Sequence, residues 1–475
     1  MLESIMRFID RREEMARLDR VARRRMGGLV VVYGRRRLGK TRLLLEWTRR
    51  HAGLYTVADQ SAAGIQRRYF AEAVSQRLAG FADVEYRDWR GLLERVWREA
   101  GSAGWRGPIV FDEMPYLVVA SPELPSVLQQ WLDHGASQAR LVVALAGSSQ
   151  RMMQGLVLAA EAPLYGRAQE VLELGPIDAG HLPEAFGRLG PREVVETYAC
   201  WGGVPRYWEL AAAERGPTEA RIERLVLDPL GPLHREPDRI LIEEVPPALE
   251  IRPVLDAIGA GMHRVAEIAG RLGRPATSLS RPLGRLTGMG LVGREVPFGE
   301  PERASRRSLY TIADPFFRLW FRVVAPHRGA LVSGGPRARR LILDRYWAGL
   351  VATAWEELVR RRVPRIRPQA PLGRAGPWGP ASRWWRATLP EWDVVSESLD
   401  GRRLLLGEAK WSARRLARPA LAREARGVAA KPAPLLPPEY LRKEQVRALF
   451  VPELPPGAGH RVDGVLVVTC SDLFP

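Results

Sequence analysis

Taken as a succession of apolar and polar positions, the chain shows its first strong pattern at Leu29–Tyr33, an apolar run followed by a glycine-bounded loop and then by Leu43, Leu44, Leu45 and Trp47. That order predicts a strand, a loop and a helix. Two further apolar runs, Pro108-Ile109-Val110-Phe111 and Leu141 to Ala146, have the length of buried strands and end in Asp112-Glu113 and Gly147-Ser148-Ser149. From Ala179 to about Leu230 the pattern is helical with Gly and Pro breaks, and Pro229 to Pro247 is a Pro-rich connector. Three amphipathic helices then follow, marked by Ile251, Val254, Leu255 and Ile258, by Val265, Ile268, Ala269 and Leu272, and by Leu279, Leu283 and Leu286. They have the spacing of a helix-turn-helix core, and the strands Leu291 to Val296 and Ser308 to Ile312, joined by a charged loop, read as a wing. Near the end, Glu391 to Val395 and Leu404 to Lys410 are short strands separated by the turn signal Asp400-Gly401, which predicts a hairpin.

Length turns these segments into domains, since 475 residues exceed one core and suggest about three. Hydrophobic residues at 46% and charged residues at 27% exclude disorder, collagen-like repeats and coiled coil as the main content. No apolar run approaches the ~18 residues of a membrane span, and Met1 to Asp10 lacks the stretch of a signal peptide. A cytoplasmic protein with no membrane partner is therefore expected. Its two cysteines, Cys200 and Cys470, offer neither a disulfide framework nor a zinc site.

The charge is uneven. Of the net +18, residues 1–50 carry 15 basic and 6 acidic groups and residues 346–475 carry 21 and 13, leaving the middle almost neutral. A polyanion partner such as DNA explains basic ends; so does a general preference for arginine, because only Lys40, Lys410, Lys431 and Lys443 are lysines. A position that keeps lysine in such a chain points to chemistry that needs a compact ammonium.

Lys40 lies in Gly34-Arg35-Arg36-Arg37-Leu38-Gly39-Lys40-Thr41. With a strand before it and a helix after it, this G-x-x-x-x-G-K-T spacing is a phosphate-binding loop for ATP: Gly34 and Gly39 let backbone N–H groups approach the phosphates, Lys40 reaches them, and the Thr41 hydroxyl binds Mg²⁺. Asp112-Glu113 reads as a Walker B pair, with Asp112 holding the metal through water and Glu113 as general base. At the end of the third strand, Gly147-Ser148-Ser149 would let a polar side chain such as Ser148 sense the γ-phosphate. In the C-terminal hairpin, Glu408 and Lys410 are two apart on a strand and share a face that Asp393 can meet from the neighbouring strand. This D…E-x-K constellation suits a divalent cation, Mg²⁺ or Mn²⁺, on Asp393 and Glu408 that generates hydroxide, with Lys410 orienting it.

These residues resemble the archaeal-type prokaryotic P-loop ATPases, related to the AAA and STAND groups, over nearly the whole chain. Phe8-Ile9-Asp10-Arg11 with Glu14 and Leu18 is similar to the family's N-terminal box, which implies that Arg11 lies near the adenine. Gly147-Ser148-Ser149 is similar to its sensor, Pro163-Leu164-Tyr165-Gly166-Arg167 to its P-L-Y-G-R box, and Gly202-Gly203-Val204-Pro205-Arg206-Tyr207 to its lid motif. Arg167 is then either an arginine finger or sensor, which in trans would require a homo-oligomer, or an arginine paired to a carboxylate. Tyr310 to Phe317 with Trp320-Phe321 resembles the family's joining segment. The C-terminal hairpin resembles the PD-(D/E)-x-K nucleases, with Trp392 in place of the usual Pro and Glu356 matching the additional upstream acid.

The expected architecture is α/β: a P-loop ATPase domain with a parallel sheet (residues 1–178), a helical lid and connector (179–246), a winged helix (247–325) and a restriction-endonuclease-like domain (346–475). In the winged helix, Arg281, Arg285, Arg303, Arg306 and Arg307 would reach DNA phosphates; Pro282 within the third helix and the neutral middle section speak equally for packing on protein. The basic helix with Arg414, Arg415, Arg418, Arg423 and Arg426 either tracks a nucleic-acid backbone or is solvated. Together these features predict an ATP-hydrolysing switch coupled to a DNA-binding, metal-dependent nuclease-like domain; the alternative is a regulator whose nuclease-like domain does not cleave.

Overall fold

The computed structural model describes residues 8–24, 26–157, 159–244, 248–303, 305 and 307–474. Two compact units form, one running to Ile177 and taking in Val204–Arg206, the other made of Asp178–Gly203 and the chain from Tyr207 onward. The Arg306 expected at the wing tip and the Val245–Pro247 end of the connector lie outside the described residues.

The first unit is built on strands β1 (Gly28–Tyr33), β2 (Leu54–Val57), β3 (Ile109–Asp112), β4 (Val142–Gly147) and β5 (Ala168–Glu173), in the order β2-β3-β4-β1-β5. Every pairing is parallel. Helices cover both faces, which is why β1 and β4 read as unbroken apolar runs instead of alternating. Leu29, Val31 and Tyr33 enter one core with Phe70, Trp89 and Phe111; Val30 and Val32 enter the other with Leu43, Leu44 and Trp47. Because β4 lies between β1 and β3, the loop after β1 and the acids after β3 flank the polar end of β4.

The helix Pro191–Trp201 lies in the second unit, and the helix Pro205–Ala213 belongs to that unit from Tyr207 onward. Three helices, Ala248–Gly259, Val265–Leu272 and Ser280–Gly288, precede the antiparallel ribbon of β6 (Val292–Glu295) and β7 (Leu309–Ile312). The third helix begins only at Ser280, so Pro282 stands in its first turn, where a missing N–H costs nothing. At the ribbon's tip Arg307 pairs with Glu300, and Arg294 donates to Ser308 Oγ at 2.9 Å. The long helix Pro336–Arg362 runs through the expected domain start at Tyr346.

A six-stranded mixed sheet closes the chain: β8 (Ser382–Arg386), β9 (Leu389–Glu397), β10 (Arg403–Ala409), β11 (Glu444–Val451), β12 (Arg461–Val462) and β13 (Val465–Thr469), ordered β12-β13-β11-β10-β9-β8. β9 and β10 form the antiparallel hairpin expected around Asp400-Gly401, and β10, β11 and β13 are parallel. Leu404 and Leu406 pack with Leu421, Ala425 and Val428 of the helix Arg418–Ala430. That helix begins only at Arg418, with Pro419 in its first turn, so Arg414 and Arg415 of the expected basic helix precede it. Among the described residues no helix is long and apolar enough to cross a membrane.

Candidate functional site

At the carboxyl end of the five-stranded sheet, Gly34 adopts φ +147°, and a Cβ there would lie 2.5 Å from the Leu174 carbonyl oxygen. Gly39 follows at φ +88°. Only glycine permits the loop to turn this tightly into the helix Lys40–Arg50. Lys40 is buried inside the loop, donating to the carbonyls of Gly34 at 2.6 Å and Arg35 at 3.1 Å. The Thr41 hydroxyl donates to Asp112 Oδ2 at 2.9 Å, so the P-loop and β3 are joined by the two groups expected to share the metal.

Tyr55, which sequence reasoning passed over, donates to the same Asp112 oxygen at 2.5 Å. Burial, followed by the Asp112 charge, pushes the Tyr55 phenol well above its ordinary range, so it remains a donor. The signal for it lay in pairing: Val57 is opposite Asp112 on β3, which puts Tyr55 two residues back on an adjacent strand. Beside Asp112, Glu113 accepts the Ser148 hydroxyl at 3.0 Å. Lys40, Thr41, Asp112, Glu113 and Ser148, read from three separated segments, thus lie around one strand-end crevice, where open parallel sheets place ligands.

Arg11 and Arg167 are engaged with protein. Arg11 is buried, and its guanidinium donates to Glu14 at 2.8 Å, to the Leu38 carbonyl at 3.0 Å and to the Gly175 carbonyl at 2.6 Å. It ties the phosphate loop to the chain after β5. Arg167 makes a two-pronged contact with Asp133, both bonds at 2.8 Å, and a third to the Pro163 carbonyl at 3.1 Å.

Residues 8–210 match the family described as an ATPase domain predominantly from Archaea. The chain carries an archaeal-type ATPase domain. Beyond that domain, residues 320–424 match a family described as Archaea bacterial proteins of unknown function. A protein of Methanocaldococcus jannaschii, MJECL04, itself uncharacterized, is 26% identical over 405 residues, covering 85% of this chain and 87% of its own. The Walker-type ATPase PABY2304 of Pyrococcus abyssi shares the fold at 19% identity and a TM-score of 0.52, over 68% of this chain and 99% of its own. Lys40, Thr41, Asp112, Glu113, Ser148, Arg11 and Arg167 all fall inside the ATPase domain.

The second cluster stands at the far end of the β9–β10 hairpin. Val394 pairs with Gly407, which puts Asp393 opposite Glu408 on the adjoining strands. Asp393 Oδ2 accepts the Ala409 N–H at 3.0 Å, and Lys410, just past the strand, continues the pairing by donating its N–H to the Phe450 carbonyl at 2.8 Å. Glu408 is buried, and its two oxygens face two ammoniums: Lys410 at 3.6 Å on Oε2 and Lys431 in direct contact with Oε1. Burial and the Asp393 charge nonetheless push the Glu408 carboxyl above its ordinary range.

Lys431 is the residue the motif did not contain. It follows the helix Arg418–Ala430, lies 4.8 Å from the centre of the Trp392 ring, and its carbonyl accepts Arg447 at 2.7 Å. Trp392, standing where the motif has Pro, gives this ammonium its aromatic wall. Glu356 from the long helix completes the group; burial first, then Asp393, pushes its carboxyl up to about 7. Among the described residues no set of three or more His, Cys, Asp or Glu side chains gathers closely enough to hold a metal.

Proposed function

We propose that this protein is an ATP-hydrolysing switch that acts on DNA through its C-terminal domain. The ATP half rests on the convergence of Lys40, Thr41, Asp112 and Glu113 around one crevice. The residues fit the nucleotide and its metal: the glycine loop wraps the Lys40 ammonium, and the Thr41 hydroxyl with the Asp112 carboxylate is a hard-oxygen pair suited to Mg²⁺. A Mg²⁺ held by Thr41 and Asp112 would neutralise charge on the phosphate oxygens. Lys40 turns from the two loop carbonyls to the phosphates, Glu113 accepts the proton of the attacking water, and Ser148 orients Glu113. Arg11 positions the loop through the Leu38 carbonyl. Asp133 takes both arms of Arg167, which favours the paired reading of that arginine over a finger.

The proposed division keeps an ATPase domain (1–178), a lid and connector (179–246), a winged helix (247–325) and a nuclease-like domain (346–475). In the last, Asp393 and Glu408 would hold Mg²⁺ or Mn²⁺ with Lys410 beside them, and the net charge of residues 346–475 favours a polyanion. One observation favours the second reading, a domain that holds DNA without cutting it. Lys431 already supplies Glu408 with a cation, and a metal would have to displace it. Incubation of the purified chain with plasmid and single-stranded DNA, in Mg²⁺ or Mn²⁺, with and without ATP, separates the two. Cleavage abolished in Asp393→Ala with ATP turnover intact supports the nuclease site; binding without cleavage supports the second reading; cleavage that survives Asp393→Ala removes the site.

A further inference from the structure

Two arginines outside every motif stand beside Asp393. Arg360, on the long helix, donates to the Asp393 carbonyl at 3.2 Å and lies 3.9 Å from Glu356. Arg383, on β8, reaches Glu391 at 3.2 Å and is faced by Glu295, Glu356, Glu391 and Asp393. Both guanidiniums are largely buried, with side chains 13% and 22% exposed. They meet at one shared carboxylate, Glu295 at the end of β6, 4.0 Å from Arg360 and 3.6 Å from Arg383.

Glu295 is a poor partner for them. A charge-assisted N–H···O bond is ~2.7–2.9 Å long, and neither contact approaches that. Its buried Oε2 makes no hydrogen bond at all. The carboxylate is nevertheless delivered to this place by the ribbon: the Phe298 N–H donates to the Arg383 carbonyl at 2.8 Å, and the Phe298 ring packs on Tyr440 at 5.3 Å. Two largely buried forked donors thus stand next to the carboxylates of the candidate nuclease site, and the one anion they share comes within charge-assisted hydrogen-bond distance of neither.

We infer that Arg360 and Arg383 form a phosphodiester clamp beside Asp393, with Glu295 of the ribbon as an internal stand-in for the phosphate. Carboxylate and phosphate both match the guanidinium fork, but one carboxylate shared between two arginines at 4.0 and 3.6 Å closes on neither, whereas a phosphate has oxygens enough for both. Binding of DNA replaces Glu295, and the ribbon's seat on Arg383 and Tyr440 is the part that yields. The inference rests on the proposed reading in one respect, that the ligand of this domain is a nucleic-acid phosphate; it does not need cleavage.

The test is the affinity of the full chain for a short double-stranded oligonucleotide without divalent metal, measured between 50 and 200 mM salt. Glu295→Gln keeps the shape and removes the anion the two arginines share, leaving Glu391 beside Arg383 and Glu356 beside Arg360; binding should tighten at least about threefold, and the plot of log affinity against log salt should steepen by about 0.9, the increment for one phosphate newly met. Arg383→Ala in the Glu295→Gln background should cancel the gain, and Arg383→Lys, which keeps charge and loses the fork, should restore only part of it. Urea melts of each variant confirm folding. Unchanged affinity and slope in Glu295→Gln, an Arg383→Ala change without effect, or no binding by any variant at 50 mM salt overturns the clamp. If binding follows Glu295 while no metal supports cleavage, the clamp stands and the nuclease reading falls. If cleavage depends on Asp393 while binding ignores Glu295, the reverse holds.

Discussion

Glu113 occupies the left-handed region at φ 52°, where a residue other than glycine persists only if its surroundings fix it. Here its N–H donates to Asp112 Oδ1 at 2.8 Å and its carboxylate accepts Ser148. Glu113→Gln preserves those shapes, so nucleotide binding should survive while turnover slows by about 10²-fold or more, as expected for a lost general base; Lys40→Ala should abolish both. Turnover of Glu113→Gln at the native rate would remove the residue from the mechanism. The same scale separates two lysines around Glu408. Lys431 is largely buried against it, whereas Lys410 is half exposed and 3.6 Å away. Removing one partner of a buried pair costs about 3 kcal/mol and loosening an exposed one less than about 1 kcal/mol. Urea denaturation should therefore rank Lys431→Met as clearly the more destabilising, and the opposite order would show that the pair with Lys431 is incidental.

Elements are tied together by buried charge. Glu357 of the long helix meets Arg318 at 2.8 Å and contacts Arg361, and Tyr198 of the helix Pro191–Trp201 accepts Arg361 at 2.7 Å. Burial alone would raise the Glu357 carboxyl, but Arg361 and Arg318 outweigh it and hold the group below its ordinary range. Arg318→Ala leaves that buried carboxylate with Arg361 alone and should cost about 3 kcal/mol in a urea melt; a loss under about 1 kcal/mol would mean that Arg361 suffices for Glu357. In the ATPase domain the exposed Arg167–Asp133 pair joins the segment before β5 to the π-helical stretch Leu132–Ala136. The hydrogen bonds from Arg167 hold the Asp133 carboxyl below its ordinary range. A depressed acid contributes stability above its unfolded pKa and loses it as pH falls through the folded value. Arg167→Ala should thus destabilise by less than about 1 kcal/mol at neutral pH, with the difference fading in acid and ATP turnover largely kept. A hundredfold loss of turnover would instead assign Arg167 to the nucleotide.

For the molecule as a whole, the net charge of +18 is concentrated in residues 1–50 and 346–475. If those ends hold DNA through phosphates, affinity should fall by about 10³ or more between 50 and 200 mM salt, with little sequence preference. Salt-independent binding would leave the arginines as a habit of composition. The ribbon sharpens this expectation. Its Arg307 is paired with Glu300, Arg294 is bound within the loop, and Phe298 donates its N–H to the Arg383 carbonyl on β8 and packs on Tyr440. The ribbon therefore packs on protein, and its Glu295 lies against Arg360 and Arg383.

What the sequence determined by itself is whatever depends on neighbours along the chain. Gly34, Gly39, Lys40 and Thr41 are positioned by one turn between a strand and a helix, so spacing alone identifies them. Asp393, Glu408 and Lys410 follow from strand alternation and one hairpin, and the continuous apolar runs of β1, β3 and β4 announce strands buried on both faces. Tertiary structure decided everything that needs a partner from elsewhere. The placement of β4 between β1 and β3 brings Ser148 to Glu113, and the pairing of β2 with β3 brings Tyr55 to Asp112. Lys431 reaches Glu408 across 23 positions and Glu295 reaches Arg383 from another module. Such contacts carry no periodicity, because burial and the search of each charge for a counter-charge act through space and leave no trace in the order of residues.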